Sequence, residues 1–182
     1  EGGIKVLKGN LGIGVIKTSA VAKEHWVIEA PAVVFNDQDD VLTAFKAGEL
    51  NKDFIAVIRF QGPRAKGMPE LHKLTPTLSI LQHNGFKVAL VTDGRMSGAS
   101  GKVPAAIHIS PEAIEGGFLA KLRNGDMLRL DCHHGELTCL DSKSVDSREP
   151  EIPKTNNYGS GRELFSKIRD IISTSDTGAT IF

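Results

Sequence analysis

Two short runs constrain the fold of this chain more than any other feature. Phe54–Phe60 reads Phe-Ile-Ala-Val-Ile-Arg-Phe, and Val88–Thr92 reads Val-Ala-Leu-Val-Thr. Neither run alternates polar with apolar, so each reads as a strand covered on both faces. Each gives way at once to a glycine-punctuated polar loop, Gln61–Glu70 after the first and Asp93–Lys102 after the second. If the two strands are parallel neighbours, both loops leave the sheet at one edge, where open α/β sheets collect their ligands.

The rest of the chain supplies about six more strands: Ile4–Leu7 and Gly12–Lys17 around the turn Gly9-Asn10, Val27–Phe35 bent at Pro31, Ala105–Ser110, and a hairpin of Met127–Cys132 and Glu136–Leu140 around His133-His134-Gly135. A helix is expected from a cap at Asn36 or Asp37 to about Ala47, where Gly48 closes it. A second is expected over Glu70–His83, broken or restarted at Pro76. Pro111 fits the first turn of a short helix that Gly116-Gly117 interrupts. Gly161–Ser173 reads as an amphipathic helix with Leu164, Phe165, Ile168, Ile171 and Ile172 on its apolar side. Asp141–Ser160 reads as a polar surface excursion. Strands do not alternate strictly with helices, so the expected fold is α/β with a mixed, barrel-like sheet of about eight strands flanked by helices, not a simple Rossmann sheet.

Charge and cysteine usage exclude several classes. Twenty-two basic and 22 acidic residues cancel, which argues against a strongly basic nucleic-acid binder. No apolar run is long enough to span a bilayer, and no signal-peptide pattern opens the sequence, so no membrane partner is expected and the cytoplasm is the default location. Cys132 and Cys139, seven apart, have neither zinc-site nor disulfide-framework spacing and read as free thiols.

The two loops carry the candidate chemistry. Glu70 is either a dipole-favoured acid at a helix start or a ligand for a hard cation such as Mg²⁺. Asp93 is either an Asx-turn residue at the strand exit or part of a site. Arg95 and Lys102 are a solvated pair or a grip for an anionic substrate. Ser97 is a turn residue or a reactive hydroxyl, but Arg95 stands where a nucleophile elbow needs glycine. A phosphate-binding P-loop is excluded because Gly94 to Gly101 has the wrong spacing and Val103 follows Lys102. His72 reads as structural, and the pair His133-His134 is the only sign of a phospho-carrier domain.

Thr92-Asp93-Gly94-Arg95-Met96-Ser97-Gly98, with Gly67-Met68-Pro69-Glu70 before it and His108-Ile109-Ser110-Pro111-Glu112-Ala113 after it, resembles the dihydroxy-acid/6-phosphogluconate dehydratase family. Gly9-Asn10-Leu11, Ile16-Lys17-Thr18 and Asn124-Gly125-Asp126 match the same pattern, in order along nearly the whole chain. The resemblance implies a swivelling β/β/α fold, with residues 1–182 as a single C-terminal domain of a longer enzyme. The opening Glu1-Gly2-Gly3, without Met, reads the same way. It also implies partners: the enzyme's own N-terminal domain, which would carry an iron–sulfur cluster of 4Fe-4S or 2Fe-2S type, a second copy in a homodimer, and a small sugar acid phosphate as substrate. Ser97–Pro104 and Gly159–Phe165 look most like the phosphogluconate-acting branch. Branched-chain enzymes carry a Gly-Gly-Thr variant where Ala99 and Ser100 stand here.

The implied reaction is loss of water from 6-phospho-D-gluconate to give 2-dehydro-3-deoxy-6-phospho-D-gluconate, a step of the Entner–Doudoroff pathway. By resemblance, Ser97 is the base at C2, Glu70 a ligand of a divalent metal, and Asp93, Arg95, Ser100, Lys102, Arg64, Lys66 and Arg162 line the substrate. A serine is too weak a base at neutral pH unless metal charge lowers its pKa. The chain by itself is therefore expected to be inactive. A dihydroxy-acid or other sugar-acid dehydratase, and a non-catalytic binding module of the same fold, are the alternatives.

Overall fold

In the computed structural model, which describes residues 2–96, 101–153, 158–159 and 161–182, eight strands close into one barrel. They are β1 (Ile4–Gly9), β2 (Gly12–Lys17), β3 (Val27–Phe35), β4 (Phe54–Ile58), β5 (Val88–Thr92), β6 (Ala105–Ser110), β7 (Met127–Asp131) and β8 (Glu136–Cys139). Round the barrel the order is β1-β2-β6-β5-β4-β3-β7-β8. The strands β3, β4, β5 and β6 run parallel, and the remaining neighbours are antiparallel except at the β8–β1 closure.

The continuous apolar runs are explained by two cores. Ile55 and Val57 of β4 and Ala89 and Val91 of β5 point into the barrel, with Leu7, Ile16, Ile28, Leu128 and Leu130. Phe54, Ala56 and Ile58, with Val88 and Leu90, point outward beneath the helices. Alanines at 30, 32, 89 and 106 fit an eight-stranded barrel whose interior is just filled by side chains.

Two helices cover the parallel side. Helix α1 (Gln38–Lys46) is capped by Asp37, which accepts from the Asp39 N–H at 3.1 Å. The segment α2 (Pro63–Lys66) is a single turn closed by Gly67 in the left-handed conformation. Helix α3 (Leu74–His83) begins four residues later than the sequence predicts and is unbroken at Pro76. The reason is positional: Pro76 falls in the first turn, where its missing N–H has no intrahelical partner to lose. Pro111 follows a cis peptide bond and leads into a 3-10 turn at Ala113–Glu115. The excursion after residue 141 is not wholly superficial, since α4 (Ser142–Asp146) buries Val145 completely. The amphipathic helix expected over Gly161–Ser173 shortens to α5 (Ser166–Ile171) and buries none of its residues. No helix of the described residues is long and apolar enough to cross a membrane.

Candidate active site

Parallel pairing of β4 with β5, Ile58 beside Thr92, sends both glycine-rich loops off the same edge of the barrel. The pairing continues past the strands as an isolated parallel bridge between Glu70 and Arg95. There Arg95 Nη1 donates to Glu70 Oε2 at 2.6 Å and its Nε to the Met68 carbonyl at 2.7 Å, while the Leu71 N–H donates to the Arg95 carbonyl at 3.3 Å. Glu70 Oε1 is buried and has no partner among the described residues.

Asp93 underpins this junction. It is fully buried, and its carboxylate accepts from the N–H groups of Gln61 at 2.9 Å, Phe60 at 3.1 Å and Ala113 at 2.9 Å. Burial pushes its pKa up, and the three backbone donors pull the other way. With both oxygens bonded to backbone N–H groups, buried Asp93 ties the β4 exit to the turn after β6. Gly94 is demanded by the same closeness, because a Cβ there would lie 2.6 Å from that of Gln61.

Three of the non-glycine residues with left-handed φ surround this edge: Phe60 at 62°, Met68 at 52° and His108 at 58°. Such conformations cost energy and cluster where a fold over-determines a functional geometry. His108 donates its N–H to the Gly94 carbonyl at 2.9 Å. Burial, then the nearby Arg95 charge, holds its imidazole pKa below the usual value, so it is neutral at neutral pH. Sequence reasoning quoted His108 in a motif but gave it no role; its backbone strain has no sequence signal.

A second acid was also missed. Glu112 is 2% exposed and accepts from the N–H groups of Arg64 at 3.1 Å and Ala65 at 3.2 Å, holding the turn α2 that leads to Glu70. Burial raises its pKa to about 7, with the Asp93 and Glu115 carboxylates adding to the rise. Its oxygen fills the space over Gly62, where a Cβ would come within 2.3 Å.

The cations expected at the substrate divide. Arg64 is committed elsewhere: its Nε donates to the Ile172 carbonyl at 3.0 Å and its Nη1 pairs with Glu115 at 2.8 Å. Lys66 pairs with Asp37 at 2.5 Å. Lys102 is exposed, with its carbonyl facing Gln82 of α3 at 3.4 Å and no described link to Glu70 or Arg95. Arg162 shares a cavity with Lys66. Ser97 and Ser100 lie outside the described residues.

Glu70 fits a divalent cation, since its buried unpaired oxygen is the kind of donor Mg²⁺ takes. It would be one ligand of several, because no group of three or more His, Cys, Asp or Glu among the described residues is placed to hold a metal. The chain does not fit an iron–sulfur cluster. Cys132 and Cys139 are buried, and burial pushes the Cys132 thiol up to about 11 and that of Cys139 upward, which keeps both protonated.

A family model described as "Dihydroxy-acid/6-phosphogluconate dehydratase C-terminal" matches residues 1–179. The chain belongs to the dihydroxy-acid/6-phosphogluconate dehydratase family. It is 61% identical to a phosphogluconate dehydratase of Pseudomonas aeruginosa and 58% identical to one of Escherichia coli K12, over 100% and 99% of its own length. A dihydroxy-acid dehydratase of Methanothermobacter thermautotrophicus is 36% identical over the whole chain. The chain spans only 30% to 33% of the length of these family members.

Proposed function

We propose that the chain is the C-terminal domain of a hydro-lyase that dehydrates 6-phosphogluconate, and that it supplies one wall of the active site. The observation that carries this reading is the Glu70–Arg95 bridge, with its spare buried carboxylate oxygen at the edge where both loops emerge. The greater identity to phosphogluconate dehydratases, 61% against 36% for the dihydroxy-acid relative, favours a phosphorylated sugar acid.

In this reading Glu70 would hold a divalent metal, which would supply Lewis acidity and make the C2 proton of the substrate removable. Arg95 fixes the Glu70 carboxylate by one oxygen, so that the other stays free and oriented. Asp93 and Glu112 hold the two loops in register beneath it. Ser97, two residues beyond Arg95, would take the C2 proton as an alkoxide once metal charge lowers its pKa, while the C3 hydroxyl leaves as water and the resulting enol becomes the 2-keto acid. His108, uncharged, sets the Gly94 carbonyl and adds no positive charge against the cation. The cluster and the remaining ligands belong to an N-terminal domain, in a cytoplasmic homodimer. The exposed apolar side of residues 161–173, with Leu164 73% and Ile171 65% exposed, is a contact surface for the rest of the enzyme.

The test is turnover. The full-length protein, kept anaerobic, is expected to form a 2-keto acid from 6-phosphogluconate far faster than from 2,3-dihydroxyisovalerate, and residues 1–182 alone are expected to form none. Preference for the branched-chain acid, or turnover by the isolated chain, would overturn the reading.

A further inference from the structure

Between α2 and the C-terminal segment lies a cavity of about 410 Å³. Lys66 and Gly67 line one side, and Arg162, Phe165, Arg169 and Ile172 the other. Its described lining holds three cations and no acid. Among the described residues the Nε of Arg162 is buried without a partner and Arg169 forms no ion pair. Lys66 alone is matched, by Asp37 at 2.5 Å. A buried guanidinium N–H is costly to leave unpaired, and with a second arginine and a lysine on the same lining the concavity suits an anion.

The chemistry of the lining narrows the anion. Arginine forks match the paired oxygens of a phosphate, and two of them beside a lysine balance a dianion better than a single carboxylate. Position narrows it further. Glu70 is three residues beyond Gly67, so the chain keeps the cavity rim within about 11 Å of the candidate metal ligand. An extended gluconate chain spans a gap of that order, so a carboxylate at Glu70 and a far end at this rim suit one substrate. The wall itself is latched, because Arg64 binds the Ile172 carbonyl at 3.0 Å and Ser175 Oγ approaches Met68 Sδ at 3.8 Å.

We propose that this cavity is the phosphate-ester subsite, formed by Arg162 and Arg169 with Lys66 at its rim. The proposal rests on the sugar-acid dehydratase reading and adds the specificity element to it. Arg169 carries no motif, and only the cavity draws attention to it.

The test separates the two claims. The protein in its longest natural form is treated with the arginine reagent phenylglyoxal, and modification is mapped by mass spectrometry with inorganic phosphate, 6-phosphogluconate or gluconate present. Phosphate and 6-phosphogluconate are expected to slow modification at Arg162 and Arg169 severalfold, gluconate is not, and exposed Arg123 is expected to react equally in all three. Unchanged labelling at both arginines, or equal protection by gluconate, overturns the subsite. This arm needs no turnover, so it stands even if the protein dehydrates nothing. In the full-length enzyme, Arg169→Gln is expected to raise KM for 6-phosphogluconate roughly ten- to hundredfold, the loss falling in KM, with Arg169→Lys recovering part of it. A loss in kcat alone, or none at all, counts against the subsite while leaving the dehydratase reading in place.

Discussion

Asp93 shows how a polar residue at a strand end acquires its role. Its loop context marked it as a site candidate, but three backbone N–H groups converge on its carboxylate inside the barrel edge. Replacing it with Asn turns one acceptor into a donor that faces those groups. Asp93→Asn is therefore expected to destabilise the fold by about 2–4 kcal/mol, measured by urea unfolding, while Arg95→Ala, at a half-exposed side chain, is expected to cost well under half of that. Equal losses would mean that Asp93 is not the staple. Arg59 is a second residue invisible to motif reading. It is buried in the apolar run, where its Nη1 donates to the carbonyls of Ala120 and Leu122, both at 3.2 Å, and its Nη2 pairs with Glu151. Arg59→Met is expected to cost about 3 kcal/mol by the same assay, because those carbonyls lose their donor.

The elements most legible in sequence are the strands, and for a physical reason. All eight were readable because strand length, turn glycines and apolar runs are local signals. The helices were less so: the α3 start depends on where Pro76 falls in the first turn, and the α5 segment has the expected pattern but no core to pack against. The site followed the same division. Glu70 and the two loops were legible because they follow buried strands, whereas Glu112 and His108 matter through contacts with segments distant in sequence. Glu112 gives the turn α2 a pH dependence. Folding raises its pKa from 4.5 to about 7. Across that window the folded chain keeps a proton that the unfolded chain has lost, so stability falls as pH rises through it, by up to about 3 kcal/mol. Thermal unfolding of the wild type and of Glu112→Gln is expected to converge near pH 5 and to diverge toward pH 7.5, with the wild type losing ground. Parallel curves would show that Glu112 is charged throughout.

At the scale of the whole chain, the described residues form a closed barrel with two glycine-rich loops at one edge. The parallel strands align two loops, Asp93 and Glu112 fix them, and Glu70 presents a carboxylate oxygen with no partner among the described residues. The Gly161–Ser173 segment leaves Leu164, Phe165 and Ile171 exposed. The most direct test is metal-dependent turnover of 6-phosphogluconate by the full-length enzyme, comparing wild type with Glu70→Gln across a Mg²⁺ titration. Removing the ligand while keeping its shape is expected to lower kcat/KM by roughly a hundredfold or more and to move half-saturation to higher Mg²⁺, with the melting temperature little changed. A Glu70→Gln enzyme with wild-type turnover and an unshifted Mg²⁺ curve would contradict the placement of the active-site wall at this edge of the barrel.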